Sequence, residues 1–510
     1  MGSNLIVLNR QSHVWKVLAI GGLVPGLLAL VLGTANVWLT PLLSDRVSAL
    51  ARARFGDELH FQSLTVSLFP HVSVNATGVV FRQNGATDVP PLIRIDRVEV
   101  EAGLAGLIGP YRRAHRMTFQ GLRITVPPRR EGADQLRQSE KKTEDRFLAD
   151  EIVANGTKLT VLPRAPGREP LVFDIQKLTL HAGSDASMHY QSELMNAKPP
   201  GLIRAEGNFG PWLNDDPGGT PLDGHYTFSH ADLSVFNGIS GFLSSTGHFA
   251  GNLQNINAEG TTDTPNFALR DAGHPVHLVA DYQAVIDGTN GQTLLQPVTA
   301  QFRHTHIICH GGIVQKPGDK AKTVDLDGTV ENGRLEDVLY LATRSKEPMT
   351  GVLNFTSKII IPPGDIDVVK KLQLAGNATV EDMLFTNRDV QLKLNNLSNR
   401  AQGHPKADDT QNIPSALTAQ FSMNNGAIQF ASLTFDIRGA QLSLTGSYGI
   451  LNEGLDFKGE ARTEAKPSEM TTGVKSVLLK AVDPFVKKQG AGAVLPVRIG
   501  GTREHPMFGL

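Results

Sequence analysis

The sequence predicts a mainly β protein: an N-terminal transmembrane helix, then a long antiparallel body of short strands with few short helices. Three observations carry this expectation. Val17 to Leu39 form one apolar run without an ionisable side chain. After it, apolar and polar residues alternate in short segments, the period of two that a strand with one buried face imposes. The composition agrees, because aromatics make up only 6% while 51 glycines and 29 prolines supply turns for many short strands.

As a helix rising ~1.5 Å per residue, the run from Val17 to Leu39 is long enough to cross a hydrocarbon core of ~30 Å. Trp15 and Trp38 bracket it as membrane anchors, amphipathic indoles at the two headgroup levels. A cleaved secretory signal is the rival reading, with Gly33-Thr34-Ala35 as small residues at a cut site. The run exceeds the ~7–15 residues of a signal core, which favours an uncleaved anchor. Either way the body leaves the cytosol. A short tail is easily left inside, so the expected orientation is N-terminus in and body out.

Leu43, Val47, Leu50 and Arg54 then follow helical spacing and predict a short amphipathic helix over 42–55. Strand signals come next at Leu64/Val66/Leu68, Val72/Val74, Ile93/Ile95, Val98/Val100 and Leu122/Ile124/Val126. Parity breaks at Asp96-Arg97, as at a bulge. Residues 129–146 are densely charged with both signs and read as a solvated linker. Alternation resumes from Leu159/Val161 and Phe173/Ile175 to Ile359/Ile361 and Leu372/Leu374, and the polar gap from Asn395 to Asn412 predicts an exposed loop. Strands return at Leu417/Ala419/Phe421, Ile428/Phe430, Leu433/Phe435/Ile437, Leu442/Leu444 and Leu455/Phe457. Val474, Val477, Leu478, Ala481, Val482 and Phe485 make a helical stripe that Pro484 kinks or ends. The runs amount to ~25 strands spaced as antiparallel meanders, with no βαβ alternation.

Little here supports chemistry. Lys and Arg number 49 against 50 Asp and Glu, so there is no positive field for nucleic acid. Cys309 is the single cysteine, which excludes an intramolecular disulfide and fits a small apolar core residue. His304, His306 and His310 share one parity around it and could begin a metal site, but no second cluster supplies the remaining ligands. Ser139 and Lys142 match an acyl-enzyme spacing inside the charged linker, without the partner motifs. No nucleophile elbow, phosphate loop, zinc-protease or dinucleotide motif occurs. The sequence does not read as an enzyme and asks for no cofactor. What the alternation supplies is a surface, polar on one side and rich in Leu, Ile, Val and Phe on the other. Two packed sheets would bury it as an ordinary sandwich core. A single curved sheet would leave it open to acyl chains, and periodicity does not separate the two.

The order of parts resembles the AsmA-like family of bacterial envelope proteins. The resemblance is carried by the anchor followed by Leu64-Thr65-Val66-Ser67-Leu68-Phe69-Pro70-His71-Val72-Ser73-Val74, and by Ile95 to Val100 leading through Leu104 and Leu107 to Phe119-Gln120-Gly121-Leu122 and Pro127. At the far end it is carried by Gly426 to Phe430, Leu442 to Gly446, Leu495-Pro496-Val497-Arg498-Ile499-Gly500-Gly501-Thr502 and His505-Pro506-Met507-Phe508. It implies a repeating β-groove and a single-pass protein of the bacterial inner membrane with its body in the periplasm. Its parts would be a cytoplasmic tail (1–16), the anchor (17–39), an N-terminal β region (40–128), a charged linker (129–150), middle groove repeats (151–395), a polar loop (396–412) and a C-terminal region (413–510) with an amphipathic helix at 470–487. Phospholipids are the implied partners, with envelope proteins as further ones, in support of outer-membrane lipid homeostasis. The groove candidates are Leu64, Val66, Leu68, Val72 and Val74 near the membrane end, and Phe430, Phe435, Leu442 and Leu444 near the far end. Replacing Val66 and Leu68 by Asp is expected to abolish lipid carriage and spare anchoring. The alternative is a factor for outer-membrane protein assembly with a closed core, which the same pair would unfold.

Overall fold

The computed structural model describes residues 44–45, 48–49, 58–67, 72–82, 90–103, 113–127, 148–163, 170–183, 187–213, 216–270, 273–315, 321–344, 347–406, 412–471, 492–503 and 505–509. The apolar run 17–39, Trp15, Trp38, Leu68, most of the charged linker and residues 472–491 of the C-terminal stripe lie outside them. Among the described residues no helix is long and apolar enough to cross a membrane. The chain is mainly β, in long antiparallel sheet, and divides into two compact units, residues 1–195 with 205–222 and residues 196–204 with 223–510.

The first unit begins with β1 (Leu59–His60), β2 (Ser63–Ser67), β3 (Ser73–Phe81) and β4 (Ile93–Glu101), followed by β5 (Arg113–Gln120), β6 (Arg123–Val126), β7 (Leu148–Val161) and β8 (Leu171–Ala182). β9 (Met188–Ala197) and β10 (Pro200–Phe209) come next. β2, β3 and β4 pair antiparallel, but β5 and β6 both pair parallel to β7, a correction to the uniformly antiparallel expectation. The physical reason is the long segment between β6 and β7, which leaves room for a crossover that a tight turn would not allow.

The parity break expected at Asp96-Arg97 has a cause that extends beyond one strand. β4 stays paired with β3 on both sides of it, yet Ile95 and Val98 are both buried. Gly78, Gly121 and Gly156 have φ of 60°, 65° and 66° and sit in one transverse row of the sheet, with Asp96 between the first two. The left-handed backbone costs glycine nothing and inverts the pleat of each strand there. Apolar residues on both sides of the row therefore join one cluster: Ala76, Val98 and Ala154 on one side, Val79, Ile95 and Leu122 on the other.

The second unit contains β11 (Leu222–Asp232), β12 (Ile239–Ser240), β13 (Phe242–Asn252), β14 (Asn255–Leu269), β15 (Val276–Asp287), β16 (Gln292–Phe302), β17 (Thr305–Val314) and β18 (Thr323–Arg334). It continues with β19 (Met349–Ile361), β20 (Gln373–Phe385), β21 (Ser415–Asn424), β22 (Ala427–Ile437), β23 (Ala440–Gly449), β24 (Leu455–Thr463), β25 (Ala493–Gly501) and β26 (Pro506–Gly509). From β13 onward each strand pairs antiparallel with the next. Between them stand α1 (Leu335–Ala342), α2 (Val368–Lys371) and α3 (Arg388–Ala401).

Two of these helices close the same end of the sheet. α1 is held by Asp337, which is 1% exposed. Its carboxylate accepts from the His304 backbone N–H at 2.9 Å and the Thr305 hydroxyl at 3.0 Å, and it lies 3.1 Å from the Arg303 guanidinium, which also covers the Tyr340 ring. His304 thus belongs to a turn and not to the strand carrying His306 and His310. Among the described residues no group of three His, Cys, Asp or Glu is placed to hold a metal ion.

α3 corrects the predicted loop 396–412, since helix runs to Ala401. It buries Gln391, Asn395, Ser398 and Asn399 and leaves Val390, Leu392 and Leu397 exposed, the reverse of ordinary amphipathicity. The reason is what it sits on. Its buried side meets strand ends, whose open backbone groups need polar partners. The Gln391 side chain accepts from Phe385 N–H and donates to the Ile413 carbonyl, Asn395 accepts from Ile413 N–H, and Ser398 donates to the Arg438 carbonyl at 2.6 Å.

Candidate functional site

Residues directly opposite in paired strands project to the same face. Tracing the register of the second unit from one strand to the next therefore assembles its two faces. One row runs from Ala258 through Ala284 to Leu295; farther along, Leu326 faces Ile359, which faces Leu374, which faces Met423. Leu433 faces Leu444, Phe435 faces Leu442, and Phe430 and Phe421 face one another. Ala461 and Leu495, Gly459 and Val497, and Phe457 and Ile499 continue the face. Among the described residues of β13–β25, this face carries no charged side chain in its paired rows.

The opposite face takes the charges. Lys358 lies 2.7 Å from Asp325 and 3.1 Å from Asp327, and hydrogen bonding to Asp325, then Asp327, holds its ammonium above the usual lysine range. His306 and His310 are exposed on that side, whereas Cys309 faces the apolar one, where burial pushes its thiol up.

Most of the apolar face is half-buried. Leu326, Ile359, Leu374, Phe421, Phe430, Leu433, Phe435 and Leu442 all retain partial exposure, while Leu444 is 7% exposed. α1 covers one end, packing Leu335 and Val338 against Leu353, Val380 and Met383. Large rings elsewhere lean over glycines in the strands between them. Phe355 and Phe421 stack at 5.7 Å on either side of β20, where Gly376 sits, and Phe430 and Phe457 approach to 5.7 Å on either side of Gly446. A Cβ at either glycine would collide with the neighbouring strand's backbone, at the Thr356 carbonyl oxygen for Gly376 and at that of Asp456 for Gly446.

The third such bridge is polar. Tyr226 and Tyr282 meet hydroxyl to hydroxyl across β13 and β14, where Gly247 and Gly260 form the floor. Tyr226 lies 2.9 Å from the Ser245 hydroxyl, which donates to the Thr261 carbonyl at 2.9 Å. The chain of hydroxyls satisfies itself, as polar groups on an apolar face must. Burial, then the hydrogen bond with Tyr226, pushes the Tyr282 phenol far above its ordinary value. A raised folded-state value means that this contribution to stability is complete below ~pH 10, where a free tyrosine stays protonated, and is lost as pH climbs past it. Alkaline unfolding followed by circular dichroism should therefore begin at higher pH in Tyr282→Phe than in the unmodified chain.

The predicted groove residues divide. Phe430, Phe435, Leu442 and Leu444 share the apolar face of the second unit. Leu64 and Val66 face Ala76 and Val74 in the first unit, with Val72 half-buried beside them. Val66, however, is 2% exposed. An Asp there would enter a packed site and destabilise the unit, so the expected separation of lipid carriage from folding does not hold at that position. Sequence reasoning missed the Tyr226–Tyr282 bridge and the Asp337 hub; the alternation of glycine and aromatic residues along neighbouring strands was the signal for the first. No family model, curated protein or solved structure matches this chain.

Proposed function

We propose that this chain is an anchored protein of the bacterial envelope that holds or conducts phospholipid acyl chains along the apolar face of its sheet. The observation that carries the reading is a charge-free face, half-buried across most of β13–β25, backed by a face that takes the polar and charged residues. A sandwich core would bury such side chains almost completely. Leucine and phenylalanine that stay only partly buried over so many strands form a continuous apolar surface of the kind that marks a binding site. Acyl chains match it because they need apolar contact and offer nothing for hydrogen bonds. The AsmA-like order of motifs supports the same reading and supplies the membrane anchor and periplasmic setting.

The test places a photoreactive benzophenone amino acid in the full-length chain within living cells. Leu326 and Leu433 face the apolar side; Asp327 and Thr434, their neighbours, face away. Phospholipid adducts at the first pair and not at the second are expected by mass spectrometry. Protein adducts at Leu326 and Leu433 would favour an assembly factor, and adducts at neither would sink the lipid reading.

A further inference from the structure

The strand directions of the second unit define two ends of its sheet. Ile239 pairs with Leu269, which puts the corner at residues 237–241 at the end where β14 finishes. Successive antiparallel steps from β14 to β19 put Ile361, and the loop after it, at the opposite end. Yet the corner and the loop touch. Val368 N–H donates to the Asn237 carbonyl at 3.0 Å, and the Asn237 side chain donates to the Asp365 carbonyl. Lys198 adds a contact, its ammonium 5.6 Å above the Phe236 ring and 4.0 Å from Asp365. Gly238 is packed so closely, at φ 97°, that a Cβ would come 2.9 Å from Val368 N and 3.2 Å from both Asp367 carboxylate oxygens.

Opposite ends of a sheet meet only if the sheet rolls, and accumulated strand twist is the ordinary means. The rings that meet across the apolar face put it inside the roll, and the charged rows, with exposed Val279, Leu294 and Ile308 among them, lie outside. The meeting of corner and loop is therefore a strap across the open side of the apolar face. We propose that the portion from β11 to β19 encircles an acyl chain, and that the chain leaves this portion only when the strap opens. This rests on the lipid reading above. The paired rows of the wall from β13 to β19 carry no charge, and the Tyr226–Tyr282 bridge within it has its hydroxyls satisfied.

The test uses the full-length chain loaded with phosphatidylethanolamine bearing a fluorescent acyl chain, and follows its release to excess unlabelled vesicles. Gly238→Val should pry the strap apart and speed release about tenfold or more. On a Cys309→Ser background, Asn237→Cys with Asp365→Cys should form a disulfide that locks the strap and slows release about tenfold, reversed by reductant in the same sample. If Gly238→Val does not fold, the locked and reduced states decide alone. Equal release from those two states would overturn the strap proposal while leaving lipid binding intact. Failure of the unmodified chain to load at all would overturn the lipid reading instead.

Discussion

On the proposed lipid reading, replacing Ile359 and Leu374 together by Asp should abolish phospholipid binding without unfolding the protein. The two residues face each other on β19 and β20 and both are half-buried on the apolar face. An unpaired carboxylate moved out of water costs several kcal/mol, whichever group excludes the water. On an open face the pair stays hydrated until an acyl chain arrives, so the cost falls on binding. Every ~1.4 kcal/mol is a factor of ten, and a loss of bound lipid well beyond tenfold is expected. The thermal midpoint should move by only a few degrees, because neither side chain is fully buried. In a closed core the same cost would fall on folding and the variant would not be recovered. The control pair, Thr356→Asp with Asn377→Asp, faces the other way on the same strands and should change neither quantity. Phospholipid extracted per mole of protein, set beside a melting curve, distinguishes the outcomes.

The largest expected loss of stability is at Asp337. Its carboxylate is buried, and it holds the His304 N–H, the Thr305 hydroxyl and the Arg303 guanidinium at once. Asp337→Ala leaves a donor without its acceptor and a partly buried cation without its partner, a change that ordinarily costs ~3–5 kcal/mol. Asp337→Asn keeps an acceptor in place and should cost less. A urea unfolding midpoint for each variant checks the order, and equal midpoints for the Ala variant and the unmodified chain would rule out the hub. On the proposed lipid reading the effect should reach lipid retention only through loss of the fold, since Asp337 belongs to α1, at the covered end of the face.

How far the sequence could be read follows from the range of each interaction. Alternation is local, so the shared facing of Leu442 with Leu444, and of Leu433 with Phe435, was legible from a period of two, but Phe430 joins that face only through the register shift between Phe430 and Leu433, which no local pattern marks. The parity break at Asp96 was legible as well, but its cause was spread over glycines in three other positions that only the register brings into line. α3 looked like a loop because its polar residues point inward, and nothing local says that a helix will rest on strand ends. Asp337 was indistinguishable from the many single acids in turns until the turn after β16 was placed beside α1. The parallel pairing of β5 and β6 with β7 depends on a crossover whose path no local pattern encodes.

Nearest-neighbour pairing from β13 to β26 also bears on how the chain is made. Each new hairpin finds its template already formed and adjacent in sequence, so ordering can proceed along the chain as it is synthesised, with small loop-closure costs at each step. The tie between Asn237 and the loop carrying Asp365 is different in kind. It spans 128 positions, so the corner after β11 waits until β19 has been laid down. On the proposed strap, elongation and closure are thus separate events, and the growing sheet remains an open ribbon until the segment after β19 reaches the corner after β11.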